Sequence, residues 1–386
     1  MQIIEFTADS LRFADALPTQ APADGFVWVH LDRQELAQAL PQLQQAALQL
    51  GGSALLELHA KDLSSAAHPS HYDYTSVYDL VIFRRLATQA ETGAEAEQEA
   101  AVEAYHGQLA SAPREKTKGG LPAFNRIGSR AVGFAIFDRL LISVHPRGCF
   151  AAKSFIERFL ADAKFSVDAV AARNRIPVNP ADLVLRMVNA MVDSYLDLRR
   201  ELTRQLEHWQ AELLKPNARF NNWGALMTAR GQLHVLEDLC DEQRDAMQEW
   251  LDSLREQPLS TLSADTRLAQ AQQDQLMARA RDVIEHIERV VHHARRLEQS
   301  AETVVQIHFS AQSNRTNDIM RTLTALTAIF LPLNLIAGIF GMNFEFIPLI
   351  HRHDGFWWAM ASMALVSAVL VVVFWRKRYL ARTSKR

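Results

Sequence analysis

Alternate steps of three and four from Asn317 pick out Asn317, Met320, Thr324, Thr327, Leu331, Asn334, Gly338 and Gly341, one seam of a helix at heptad spacing. Only Met320 and Leu331 among them are large and apolar. Asn and Thr carry polar groups that hydrocarbon leaves unpaired, so the seam is expected to face protein or water. Two arrangements meet that demand: a small-residue packing face, as in any dimerising span, or the wall of a pore shared by several copies. The seam runs out at Phe340-Gly-Met-Asn-Phe344. Gly341 permits a tight helix end and close backbone approach, and Asn343 supplies an amide oxygen. In a symmetric oligomer such oxygens form a neutral ring able to hydrogen-bond the water shell of an ion, which suits magnesium because it gives up water reluctantly.

The elements that carry this chemistry are long. Thr322 to Phe344 is 23 residues without a charge and Gly355 to Trp375 is 21. At about 1.5 Å per residue each crosses a hydrocarbon layer of about 30 Å. Upstream, a helix capped by Ser263 meets no Gly or Pro until Pro332, so one helix of about 80 residues, roughly 120 Å, is expected to enter the membrane. The seam continues back along it through Ser313, Ser310, Gln306, Thr303, Gln299, Arg296, His292, Arg289, Glu285 and Asp282, every one polar. A coiled coil with a dry core needs apolar residues there; a hydrated lumen or a solvent face does not.

Composition fits a two-part chain. The 386 residues exceed one ordinary domain, and the 48% hydrophobic content hides two spans at the C-terminal end. Arg376, Lys377, Arg378, Arg382, Lys385 and Arg386 follow the second span with no acid among them, which places that end in the cytoplasm. Met1 to Phe6 shows neither a basic start nor a long apolar stretch, so no cleavable signal peptide is expected and both ends lie inside. Without the tail, 35 basic residues face 44 acidic ones, a balance that points to cations and away from nucleic acid. Cys149 and Cys240 form no C-x-x-C, which excludes a disulfide framework and a zinc ribbon.

Residues 1–165 alternate short apolar runs with helical patterns: Ile3 to Phe6, Phe26 to Leu31, Leu80 to Phe83, Ala131 to Phe137 and Leu140 to Val144 read as strands of an α/β domain. The Glu-, Ala-, Gly- and Lys-rich stretch 87–122 reads as an extended loop insertion. Residues 179–257 form two helices: Asn179 caps the first with Pro180 behind it, Pro216 stops it, and Pro258 stops the second. A stalk at 263–321, a first span at 322–343, a loop at 344–354, a second span at 355–375 and a basic tail at 376–386 complete an α+β body with a long stalk and two C-terminal transmembrane helices.

From Phe340 to Phe344 and from Ser313 to Thr324 (Ser-Asn-Arg-Thr-Asn-Asp-Ile-Met-Arg-Thr-Leu-Thr), and again from Ile329 to Pro348, the chain resembles the CorA family of two-span divalent-cation channels, whose signature is Gly-Met-Asn at the end of the first span. The resemblance is strong from about Ala280 to Tyr379 and weaker elsewhere, as in Met191 to Tyr195. It implies a homopentameric funnel in the inner membrane, with the long helix lining the pore and no enzymatic cofactor. It also implies that Gly341, Met342 and Asn343 form the selectivity mouth, that Asn317 lines the cytoplasmic side, and that Asp282 binds regulatory magnesium between subunits. Leu331 stands at a constriction where the family often has Met, Asn334 where Thr is common, and Gln306 where a second stalk acid falls. The acid facing Asp282 is not located; Asp73 and Asp79 are candidates, and as candidates only, since either also reads as an ordinary strand-edge acid.

Glu345 opens the loop between the spans and would draw cations toward the mouth. His351-x-His353 either binds zinc, nickel or cobalt or is inert at the interface. The acids between Glu237 and Glu256 form either a solvated helical face or a cation-attracting surface. No Gly-rich phosphate loop, H-E-x-x-H or G-x-S-x-G occurs, so no enzyme is expected. The expectation is passive flow of magnesium, gated by intracellular magnesium. The alternatives are zinc, cobalt or nickel through the same architecture, or a pore-less membrane-anchored scaffold or sensor.

Overall fold

The computed structural model describes residues 1–7, 10–87, 123–147, 149, 155–157, 176–213, 223–256, 266–342 and 354–376. The chain divides into two units, Met1–Ala301 and Glu302–Arg386.

The first unit is built on a seven-stranded sheet: β1 (Gln2–Thr7), β2 (Leu11–Ala14), β3 (Gly25–Asp32), β4 (His71–Tyr74), β5 (Asp79–Leu86), β6 (Ser129–Ile136) and β7 (Leu140–His145), in the order β2-β1-β3-β7-β6-β5-β4. Only the β3–β7 pair is parallel, with Val27 opposite Leu140 and Leu31 opposite Val144. All five apolar runs of the sequence fall in strands or, for Phe137, against the end of one. They read as unbroken runs because the central strands are covered on both faces. One face, with Val27, Val29, Leu31, Ile82 and Ile142, packs on α1 (Leu36–Gly51) and α2 (Glu57–Ser64). The other buries Phe6, Phe26, Trp28, Phe83 and Phe134. Trp28 Nε1 donates to Ser143 Oγ at 2.7 Å, so the indole brings no unpaired donor into the core. α1 closes at Gly51, and Gly52 takes φ of 84°, a left-handed helix end that glycine adopts without strain.

Two strands were not legible. β2 and β4 lie at the sheet's edges, and β4, His-Tyr-Asp-Tyr, carries a polar residue at every second position. β4 is held from outside by the helical layer: the Tyr72 hydroxyl lies 2.9 Å from Asp79 Oδ1 and 2.7 Å from Ser253 Oγ.

That layer comprises α3 (Pro180–Asp193), α4 (Tyr195–Leu213), α5 (Trp223–Glu256) and the part of α6 (Thr266–Phe340) up to Ala301. Asn179 caps α3 as expected, its Oδ1 accepting the Asp182 N–H at 2.8 Å. The single helix expected from 179 to Pro216 is interrupted at Ser194, whose Oγ donates to Met191 O at 2.6 Å and competes with the helical ladder. The cap at Ser263, the stop at Pro216 and most of the 87–122 insertion lie outside the described residues.

α6 turns Val283, Ile287, Val291, Ala294 and Leu297 into this layer. His293 sits among them, with Nδ1 2.6 Å from the Tyr195 hydroxyl and Nε2 3.2 Å from Thr203 Oγ1. Thr203 Oγ1 already donates to Arg199 O, so it accepts from Nε2–H, and Nδ1 accepts from the tyrosine. Burial, helped by Arg199 and Arg296, lowers the His293 pKa to about 4. Burial likewise lowers His30 to about 4. A histidine near 6.5 when unfolded and near 4 when folded contributes stability that is complete above pH 6.5 and lost as the pH falls toward 4. Thermal unfolding of the full chain in detergent should therefore show a midpoint that declines through that window. His293→Gln should flatten the decline by up to about 3 kcal/mol, and an unchanged slope would contradict the assignment.

The second unit contains the rest of α6 and α7 (Gly355–Arg376). Both helices are long and apolar enough to cross a membrane, and almost none of their apolar windows is buried within the protein. A soluble core helix would be covered. Here Leu326, Phe330, Leu335, Trp357, Trp358, Leu365 and Val372 are exposed, more apolar surface than water tolerates on a monomer. Trp357 and Trp358 near the start of α7 suit an interfacial aromatic belt.

Candidate functional site

The seam lies on one exposed face of α6. Asn317, Met320, Thr324, Thr327, Leu331, Asn334 and Gly338 are all exposed, Leu331 at 70%. So are the upstream positions from Asp282 to Ser313. At about 100° per residue the least exposed stripe of the second unit, Ala325, Ile329, Pro332, Ile336 and Phe340, falls roughly opposite. Elsewhere on this part of α6 Leu323, Leu326 and Phe330 are exposed, whereas small Ala325, at 1%, is the most covered.

The polar argument also changes. Thr324 Oγ1 donates to Met320 O at 2.8 Å and Thr327 Oγ1 to Leu323 O at 2.9 Å. These hydroxyls satisfy their protons inside the helix and do not by themselves require water. Asn334 differs, because its amide has no hydrogen-bond partner among the described residues. An unpaired amide in hydrocarbon costs roughly 4–8 kcal/mol, so Asn334 is the residue that demands water or another copy of the chain.

α6 ends at Phe340. The Gly341 N–H still reaches Ala337 O at 2.9 Å and Met342 N–H reaches Ile339 O at 3.3 Å. Gly341 is not left-handed; its service is space, since a Cβ there would stand 3.0 Å from the Ala337 carbonyl oxygen. Asn343, Glu345, His351 and His353 lie outside the described residues.

Asp282 is exposed on α6, one turn before His286. The His286 ring joins two acids: Nδ1 is 3.0 Å from Asp193 Oδ1 and Nε2 is 3.7 Å from Asp282 Oδ1. The spacing of Asp282 and His286 is visible in the sequence. The third member, 93 positions from His286, is not. Asp73 and Asp79 are engaged elsewhere, Asp73 with His59 Nε2 at 3.0 Å and Asp79 with Tyr72. The acids of α5 are partly spent in ion pairs: Glu237 with Arg295, Asp241 with Arg244 at 2.9 Å, and Asp252 with Arg255 at 2.6 Å. These pairs offset part, not all, of the negative charge on this face.

Residues 121–378, which include the seam, Asp282 and the Gly341-Met342-Asn343 segment, match the family model of the CorA-like Mg2+ transporter protein. The chain belongs to this family. It is 34% identical over 100 residues to the cobalt/magnesium transport protein CorA of Thermotoga maritima, covering 26% of this chain and 28% of that protein. It is 25% identical over 258 residues to the magnesium transport protein CorA of Escherichia coli K12, covering 67% and 74%. The first curated relatives are thus matched over about a quarter of their own length. The complete structure of the CorA magnesium transporter from Methanocaldococcus jannaschii aligns with a TM-score of 0.69 over 97% of both chains at 16% identity. The full-length CmaX protein aligns at 0.61 over 98% of this chain and 97% of that one at 17% identity. These two likenesses establish a fold: an α+β body, a long helix and two C-terminal apolar helices.

Proposed function

We propose that copies of this CorA-family chain assemble, as a homopentamer, around the exposed seam of α6 to form a passive inner-membrane channel for hydrated divalent cations, magnesium foremost, with both ends of the chain in the cytoplasm. The observation that carries the reading is Asn334, a polar side chain within an uncharged run and without a hydrogen-bond partner among the described residues. Facing a water-filled lumen it is solvated; facing lipid it is not. A pore-less anchor could satisfy it only by hydrogen-bonding it to another copy of the chain. The names of the relatives, cobalt/magnesium and magnesium transport proteins, favour the same cations.

In this reading Asn317, Met320, Thr324, Thr327, Asn334 and Gly338 line the path, and Leu331 narrows it with an apolar ring that excludes water in the closed state. Gly341, Met342 and Asn343 form the mouth, where the amide of Asn343 recognises the ion's water shell and Glu345 gathers cations. Asp282, exposed and held near His286, shares magnesium with an acid of a neighbouring copy and so holds the channel shut when internal magnesium is high.

Reconstitution of the full chain in liposomes tests this. Magnesium and cobalt should enter down an inside-negative potential, and flux should fall as internal magnesium rises. Asp282→Asn should shift that inhibition to higher internal magnesium. No flux of any divalent cation would end the channel reading. Flux of zinc or nickel without magnesium would reassign the ion. Identical inhibition curves would make Asp282 an ordinary solvated acid.

A further inference from the structure

Asp62 on α2, His71 on β4 and His68 in the loop between them lie apart from the seam and from Asp282 in sequence, and their ligand atoms all stand within 4.8 Å of one another. We propose that these three side chains bind one borderline divalent cation of the zinc, cobalt or nickel class.

The hydrogen bonding argues for an ion. His68 Nδ1 lies 3.0 Å from Pro69 O. A carbonyl can only accept, so in the neutral ring Nδ1 carries the proton and Nε2 keeps its lone pair. That Nε2 stands 3.6 Å from Asp62 Oδ1, and the carboxylate also has only lone pairs to offer. While the ring is neutral two acceptors therefore face each other with no donor between them; with Nε2 protonated the same atoms form an ion pair, and a bound cation would take the place of that proton. A metal-bound histidine characteristically gives its second ring N–H to a carbonyl in this way, which fixes the tautomer and aims the free nitrogen at the ion. His71 adds a buried Nδ1 with no hydrogen-bond partner.

Between His68 and Asp62 the geometry needs only a small contraction. Around a tetrahedral zinc with bonds of about 2.0–2.2 Å, ligand atoms sit roughly 3.3 Å apart, close to the 3.6 Å already present between His68 and Asp62. The two imidazoles are stacked with centroids 4.3 Å apart, so one ring must swing for both nitrogens to aim at a single ion. Two imidazoles and one carboxylate with an open fourth position favour zinc, cobalt or nickel over magnesium, which prefers oxygen ligands. Arg84 braces the loop by donating to Ala66 O and His68 O, both at 3.0 Å. All three side chains are partly exposed, so an ion can enter.

The sequence contains the histidines as His-Pro-Ser-His, but nothing in it says that α2 delivers Asp62 to them. The test is cobalt binding to the full chain in detergent, followed by equilibrium dialysis and by the visible spectrum of nitrogen-ligated cobalt. The wild type should bind one more equivalent per chain than His68→Gln/His71→Gln, and the band should vanish in that variant and survive a thousandfold excess of magnesium. Exposed His234→Gln should change neither. Should the double variant misfold, Asp62→Asn keeps the ring stack and should weaken cobalt by on the order of tenfold or more. Equal stoichiometry and spectra in wild type and double variant, displacement by magnesium, or unchanged affinity in Asp62→Asn would each overturn the site.

Discussion

Asn343→Ala should reduce magnesium flux by two orders of magnitude or more while the protein still elutes as the wild-type assembly. The expectation rests on multiplication. If each subunit presents one amide oxygen to the water shell of the ion, alanine removes one hydrogen bond per subunit, each worth about 1 kcal/mol net. Five copies lose about 5 kcal/mol together, and every 1.4 kcal/mol is tenfold in an equilibrium. Little packing goes with the amide, because a residue at a pore mouth faces water, so assembly should persist. The measurement is magnesium entry into liposomes at fixed potential, set beside size-exclusion elution in detergent. Wild-type flux with wild-type selectivity would remove Asn343 from the mouth. Loss of flux accompanied by loss of assembly would make its role structural.

Asp182→Ala should destabilise the first unit by about 3–5 kcal/mol, the cost of removing one partner from a buried ionic cluster. Asp182 is 3% exposed. Its carboxylate receives Arg186 Nη2 at 2.8 Å and the Val178 N–H at 3.3 Å, and Arg279 Nε lies 2.7 Å from it as an ion pair. Alanine leaves two guanidinium groups facing each other with the intervening negative charge gone and removes the acceptor of the Val178 N–H, while the Asn179 cap, which uses the backbone N–H of residue 182, stays. Domains are stable by only about 5–15 kcal/mol, so the loss is a large share. Denaturant unfolding of the full chain in detergent should show the midpoint fall sharply, and a change under 1 kcal/mol would mean that water takes the place of the carboxylate. Arg279 is less than one turn from Asp282, so the same change should disturb the proposed regulatory response as well.

The two apolar helices and the long α6 were legible in the residues because each depends on a local period or on a run of composition. Heptad steps from Asn317 pick out one set of the exposed positions of α6, and they do so without knowledge of any neighbour. The central strands were legible for a related reason, since burial on both faces makes an apolar run.

What depended on neighbours distant in sequence was not legible. The edge strand β4 is polar at alternate positions, and it is a strand because β5 pairs with it and Ser253 of α5 reaches its Tyr72. The break at Ser194 comes from one hydroxyl competing for a carbonyl. That Thr324 and Thr327 need no outside partner, whereas Asn334 does, follows from side-chain reach: a hydroxyl on Cβ meets the carbonyl one turn back, and a longer amide does not. His286 could be paired with Asp282 by counting four residues along a helix, but Asp193 joins them only because α3 packs beside α6. Asp62 meets His68 and His71 for the same reason, through the packing of α2 on the sheet. Sequence periodicity determines which face of an element is polar, because that is set by bond geometry within one segment. Which polar groups from different segments converge is decided by the burial of apolar faces elsewhere, and only the tertiary structure records it.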